Sequence, residues 1–221
     1  LVSRVPPGRE PTAPIWRVSS LRCSVGRGRD GSLLDLLIAT NNHGKLAELF
    51  ELLSDTPFRL LSLSDVGIDF EVPETGSTFE KNAEIKATAY LERSGLLTLA
   101  DDSGLEVRAL GGEPGVYSSR YAGEGATDAQ RIALLLQNLD NIPEGRRQAR
   151  FRCAIALAPP RGPAELFTGE CPGTITRSPR GDNGFGYDPV FLLDGSDRTM
   201  AELSRDEKGR ISHRSRALRK V

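Results

Sequence analysis

An apolar run, Leu36-Leu37-Ile38-Ala39, passes directly into Thr40-Asn41-Asn42-His43-Gly44-Lys45 and then into Leu46-Ala47-Glu48-Leu49-Phe50-Glu51-Leu52-Leu53. Consecutive apolar residues suit a strand covered on both faces, and Leu46, Leu49, Phe50 and Leu53 recur at helical spacing. A buried strand, a polar turn and a helix form the unit from which α/β folds are assembled. The predicted strand covers 33–40 and the predicted helix 45–53. Backbone N–H groups at a helix start, with a lysine beside them, attract an anion. Thr40, Asn41, Asn42, His43, Gly44 and Lys45 are therefore candidate phosphate-binding residues. The turn is not a Walker A loop, because Ala39 stands where the first Gly is needed and Leu46 follows Gly44-Lys45.

The composition is that of a globular protein, with 38% hydrophobic and 27% charged residues among 221. No apolar run approaches the ~20 residues of a membrane-spanning helix. The formal net charge of −1 gives no reason to expect a nucleic-acid partner. That balance is uneven: residues 1–32 carry six Arg against Glu10 and Asp30, or +4, and the remainder carries 23 basic and 28 acidic residues, or −5. An acidic body that binds phosphate calls for a divalent cation as intermediary. Three cysteines without C-x-x-C spacing and only two histidines point away from disulfides and zinc, and towards a reducing cytoplasm and a hard, oxygen-liganded ion.

Residues 1–32 are rich in Arg, Pro, Gly and Ser without apolar periodicity, and are expected to be disordered. They superficially resemble a transit peptide, but Pro6, Pro7, Pro11 and Pro14 oppose the amphipathic helix such a signal needs. An altered start site fits equally well. The fold is expected in 33–221, as one domain.

Along that body, Phe58–Leu63 reads as a second strand. Ser77 or Thr78 is placed to cap a helix from Phe79 to about Ser94, ended by Gly95. Leu96–Ala100 reads as a short strand ending at Asp101-Asp102-Ser103-Gly104, and Leu105–Ala109 as another. Asp128 opens an amphipathic helix carrying Ile132, Leu135, Leu136 and Leu139. Arg150–Ala158 alternates as a half-buried strand, and Glu165–Thr176 reads as one or two strands interrupted at Pro172-Gly173. Pro189–Leu192 follows a loop, and Ser212 caps a C-terminal helix. Helices alternate with strands early and strands dominate later, which predicts an α/β fold with a mixed sheet and two lobes.

Three further stretches can carry chemistry. Asp101 and Asp102, at a strand end, would point to opposite sides, one into a cleft and one held by hydrogen bonds. In Gly184-Phe185-Gly186-Tyr187-Asp188-Pro189, glycines permit close approach of a ligand and an aromatic ring can stack on a base. Ser212-His213-Arg214 offers donors for a phosphate or a base carbonyl. Each of these, taken singly, also fits an ordinary turn or cap.

Their order along the chain is more specific. Thr40/Asn42/Lys45, Ala100–Gly104, Gly112–Tyr121, Gly184–Pro189 and Ser212–Arg214 together resemble the Ham1/RdgB family, over about 36 to 220. The resemblance implies a two-lobed α/β fold with a long central mixed sheet, flanking helices and a cleft, usually in a homodimer. It also implies hydrolysis of non-canonical purine nucleoside triphosphates (ITP or dITP, XTP) to monophosphate and pyrophosphate, with Mg²⁺. On the same basis Asp102 is the catalytic carboxylate and a metal ligand, with Glu74 the second ligand and Asp101 a possible outer partner. Ser103, Phe185, Gly186, Tyr187, Asp188, Lys208, His213 and Arg214 join the 40–45 turn in holding substrate, and Lys45 and Lys86 face the leaving pyrophosphate.

The chain departs from the family pattern where Pro73 precedes Glu74 in place of a second acidic residue, and at Ser119 and Ser215. Two alternatives share much of the same machinery. One is a pyrophosphatase of other canonical or modified nucleotides. The other is a nucleotide-binding protein without catalysis, for which the carboxylates would have no use.

Overall fold

The computed structural model describes residues 33–221; the expectation for residues 1–32 lies outside them. Six strands form one sheet: β1 (Leu34–Ile38), β2 (Phe58–Ser62), β3 (Leu97–Val107), β4 (Gln148–Ala158), β5 (Glu165–Ile175) and β6 (Phe191–Leu193). Their spatial order is β2-β1-β3-β4-β5-β6. β2, β1 and β3 run parallel, and β3 to β6 pair antiparallel, so the sheet is mixed as expected. The helices are α1 (His43–Leu52), α2 (Phe79–Ser94), α3 (Asp128–Asn138), α4 (Arg205–Ile211) and α5 (His213–Leu218). None is long and apolar enough to cross a membrane.

Strand alternation divides the apolar residues among distinct cores. Leu37, Ala39, Ala100, Ala154 and Ala156 face α2, where Phe79, Ala83, Ala87 and Tyr90 cover them. Leu36, Ile38, Leu99, Cys153 and Ile155 face the other way and meet Leu49 and Leu53 of the α1 segment with Ala217 and Leu218 of α5. A third core, with α3 supplying Ile132 and Leu135 against Leu105, Val107, Phe151 and Phe191, occupies the far end of the long strands. The chain therefore has two lobes joined by β3, β4 and β5, with a cleft where one core gives way to the next.

Three sequence-based expectations change. Asp101-Asp102-Ser103-Gly104 does not end a strand, because β3 runs unbroken for 11 residues and absorbs the separate strand expected at 105–109. Turn-forming residues are overridden because β4 pairs with β3 along its whole length and takes up its backbone groups. Likewise β5 continues through Pro172-Gly173 as a single strand. β4 alternates only in its first half, and from Cys153 to Ala158 both of its faces are buried.

Caps mark the helix boundaries. Asn42 Oδ1 accepts from Lys45 N at 3.0 Å, so α1 begins at His43, two residues earlier than its apolar pattern suggested. Thr78 caps α2, Gly95 ends it in the left-handed conformation, and Ser212 caps α5. The short α4 has no counterpart in the sequence reading. It starts with a capping box in which Ser204 and Glu207 satisfy each other's backbone amides.

Candidate active site

β1 accompanies β3 only as far as Ile38, opposite Leu99, while β4 continues alongside. Two residues later β3 carries Asp101 and Asp102 into the space that β1 has left, beside the Thr40–Lys45 turn. Their side chains diverge, as alternation requires.

Asp101 points to the α1 and α5 side and is fully buried. Lys45 Nζ lies 3.1 Å from its Oδ1, and Arg214 and the Ser103 hydroxyl donate to its Oδ2 at 3.2 and 2.9 Å. Burial would raise its pKa, yet Lys45 and Arg214 outweigh that and hold it far below the usual carboxylate range. Arg214 also pairs with Glu48, and Glu48 with Lys208 at 2.6 Å. Lys208 continues to Asp188, whose Oδ2 accepts from Phe185 N at 3.0 Å. Lys45, Asp101, Arg214, Glu48, Lys208 and Asp188 thus form one chain of alternating charge from the phosphate turn to the aromatic loop.

Asp102 points to the α2 side. Asn82 Nδ2 donates to its Oδ2 at 3.0 Å, Ser103 N to its Oδ1 at 3.1 Å, and Lys86 Nζ lies 3.4 Å from Oδ1. Lys86 reaches Glu74 at 2.7 Å, and Arg120 approaches Glu74 from beyond at 3.2 Å. Burial raises the Asp102 pKa by more than Lys86 and Lys45 lower it, and Glu74 raises it further. Glu74 moves the other way, since Lys86 overcomes its burial.

Two spaces adjoin these groups. A wide chamber of about 970 Å³ is lined by the 40–42 turn, Lys45, Glu74, Lys86, Asp102 and Arg120. A narrow slot of about 80 Å³ lies between Phe151, Phe185, His213 and α3. They share Asn42, Lys45, Ser103 and Ser119, so the two adjoin. The slot is built with care for packing: a Cβ on Gly44 would stand 2.7 Å from the Phe185 ring, so only glycine lets that ring lie against the turn. Lys208 sits 4.9 Å below the same ring. His213 stacks on Phe151 at 4.8 Å, and its Nδ1 is buried without a partner. Burial and neighbouring Arg214 push its pKa well below the ordinary value, so the imidazole is neutral near pH 7. A neutral imidazole stacked on Phe151 gives the slot an aromatic wall suited to a heterocycle.

The chain belongs to the Ham1 family. Its profile matches residues 36–221. The dITP/XTP pyrophosphatase of Bacillus licheniformis is 49% identical over 187 residues, covering 85% of this chain and 95% of that protein. That of Geobacter sulfurreducens is 51% identical over 183 residues, covering 83% and 92%. A Ham1 protein from Coxiella burnetii superposes with TM-score 0.75 at 46% identity, over 84% of this chain and 94% of that one. The nucleoside-triphosphatase / dITP/XTP pyrophosphatase of Mycobacterium abscessus does so with TM-score 0.69 at 49% identity, over 84% and 97%.

Set in this Ham1 fold, the candidate residues converge on one cleft, but they divide by task. Lys45, Ser103, Asp102 and Glu74 border the chamber, with Asn42 at the junction. Phe185 and His213 present ring faces or edges to the slot. Gly186, Tyr187 and Asp188 bond mainly to the protein: Gly186 N donates to Asp128 at 2.7 Å and the Tyr187 hydroxyl to Ser118 O at 3.0 Å. Arg214 is 1% exposed and donates to Asp101, Glu48 and Ser103, and it also lines the slot. Asp101, expected as an outer partner of the metal carboxylates, lies on the opposite side of β3 from Asp102 and serves Lys45 and Arg214 instead.

Glu48, Asn82, Asp128 and Arg131 are not candidate site residues in the sequence reading, and Arg120 enters it only within the Gly112–Tyr121 motif. Two of them left a trace there. Glu48 is three residues after Lys45, on the same helix face, and Asn82 and Lys86 share a stripe with the buried Tyr90. A polar residue on the core-facing stripe of a helix was the available signal.

Proposed function

We propose that this protein hydrolyses non-canonical purine nucleoside triphosphates, ITP or dITP and XTP, to the nucleoside monophosphate and pyrophosphate. The names of its Ham1 relatives support that reading. The observation that carries it is that the two spaces adjoin at Asn42, Lys45, Ser103 and Ser119. A chamber lined by Lys45, Lys86 and Arg120 fits a triphosphate, and a flat slot between Phe185 and His213 fits its base.

The residues divide the work as follows. The Asn42 cap takes the amide of Lys45, while those of His43 and Gly44 have no acceptor among the described residues and are free for phosphate oxygens. Lys45 adds its charge and keeps its orientation through Asp101. Asp102 is the general base, taking a proton from the water that attacks the α-phosphorus as the bond to pyrophosphate breaks. Asn82 fixes the direction of Oδ2, and Lys86 and Ser103 N hold Oδ1. Lys86 and Arg120 face the charge that grows on the leaving group.

Magnesium belongs to this reading. Glu74 and Asp102 supply oxygen only, and Lys86 lies 2.7 and 3.4 Å from them, so the two carboxylates already converge on a cation. No cluster of three or more His, Cys, Asp or Glu able to hold a metal occurs among the described residues. Two carboxylates suit Mg²⁺, which takes one or two from the protein and completes its shell with phosphates and water. Glu74 and Asp102 would hold the ion, which when bound would supply charge neutralisation for the phosphates.

Pyrophosphate release from ITP, dITP, XTP, GTP and ATP tests the activity, with EDTA as a second arm. Release from ITP and XTP ahead of ATP is expected, and release from none of the five contradicts the reading. A homodimer, from the family resemblance, and a cytoplasmic location, consistent with the unpaired Cys153 and Cys171, complete the proposal. Sedimentation of the purified protein at twice the monomer mass is the expected check on the former.

A further inference from the structure

Arg131 projects from α3, and it lines the slot but not the phosphate chamber. Its guanidinium is fixed from behind. Nη1 donates to Ser119 O at 2.8 Å and to Ala126 O, and Nη2 donates to Asp128. Asp128 in turn accepts from Gly186 N at 2.7 Å, which ties this arginine to the aromatic loop. A guanidinium carries five N–H donors, and these contacts use three, leaving Nε–H and one Nη2–H for a ligand. The side chain is 19% exposed, enclosed but open to the slot. His213 and Lys208 line the same slot.

A purine placed between these walls presents its edge to both. The 6-carbonyl that hypoxanthine, xanthine and guanine share meets the wall of His213 and Lys208. At the other end of that edge the three bases differ: hypoxanthine has a hydrogen at C2, xanthine a carbonyl and guanine an amino group. We infer that Arg131 reads the 2-position, accepting a carbonyl, tolerating a hydrogen and rejecting an amino group. The inference rests on the proposed triphosphate activity and adds the element which that activity requires against GTP. An amino donor facing a fixed cationic donor loses its hydrogen bond to water and gains none, and such mispairing supports strong discrimination.

The test is kcat/KM for XTP, ITP and GTP in the parent and in Arg131→Met, Arg131→Lys and Arg131→Gln, followed by pyrophosphate release. ITP is the internal reference, because its C2–H offers no hydrogen bond. With Arg131→Met the XTP:ITP ratio is expected to fall roughly tenfold and the GTP:ITP ratio to rise. Arg131→Lys keeps a charge without the fork, and its XTP:ITP ratio should lie between parent and Met. Arg131→Gln brings a carbonyl that accepts from the 2-amino group, so its GTP:ITP ratio should exceed that of Met. If Arg131 only staples the 119–128 loop, all three substrates slow together and both ratios stay at parent values, which overturns the inference. A parent enzyme that releases no pyrophosphate from ITP or XTP overturns the underlying activity instead.

Discussion

Asp101 and Asp102 are neighbours on one strand and have opposite roles. Asp101 is locked between Lys45 and Arg214, which drive its pKa far down against its burial. Asp102, one residue on, faces the chamber with a pKa raised by burial and only partly restored by Lys86. Carboxylates of the same chemistry are separated by the side of the sheet on which they emerge. The α1 and α5 side holds a closed chain of alternating charges that positions the turn and the aromatic loop. The α2 side leaves charges that a substrate and a cation can rearrange.

The comparison breaks most visibly at Asp101. Asp101→Asn takes the counter-charge from half-buried Lys45 and one of two carboxylates from buried Arg214, and removing one partner of a buried pair costs about 3–5 kcal/mol. Urea denaturation should record a loss of that order, and an unchanged midpoint would show that Asp101 is not an anchor. Asp102→Asn should act on rate instead. Turnover is expected to fall on the order of 10²-fold or more, with nucleotide still bound and the thermal midpoint at or above that of the parent.

A smaller change probes the joint between the two sides. Gly44→Ala sets a methyl group 2.7 Å from the Phe185 ring and must displace it from the turn. KM for ITP should rise roughly tenfold, with less change in kcat, because the ring orders the base and not the α-phosphorus. A normal KM would remove Phe185 from the base site.

The smallest effect is one of pH. The folded-state pKa of His213 lies well below its unfolded value of about 6.5, so the unfolded chain binds a proton that the folded chain refuses. Its contribution to stability is complete above that value and is lost as pH falls below it. His213→Gln should flatten the dependence of stability on pH below about 6.5, by at most about 1.4 kcal/mol per pH unit, the slope for one proton. Identical slopes in parent and variant would mean that His213 protonates freely in the fold.

Much of this was readable from residue order. The β1–α1 unit, the α2 caps at Thr78 and Gly95 and the alternation of Asp101 and Asp102 follow from local rules of spacing and capping. The unbroken β3 did not, because Asp-Asp-Ser-Gly is turn chemistry until a long antiparallel partner satisfies its backbone. Nor did the charge chain: Glu48 and Arg214 are 166 positions apart, and only the fold joins them. The anchoring of Arg214 by Glu48, Asp101 and Ser103 is hidden for the same reason, since all three are remote in sequence.

The central claim is that Asp102 directs water onto the α-phosphorus of a purine triphosphate. Hydrolysis of ITP in heavy-oxygen water, with mass spectrometry of both products, tests it most directly. Label in the nucleoside monophosphate and none in the pyrophosphate is expected, and the Asp102→Asn variant should incorporate it on the order of 10²-fold more slowly or worse. Label in pyrophosphate or in inorganic phosphate would place the attack at another phosphorus and contradict the account.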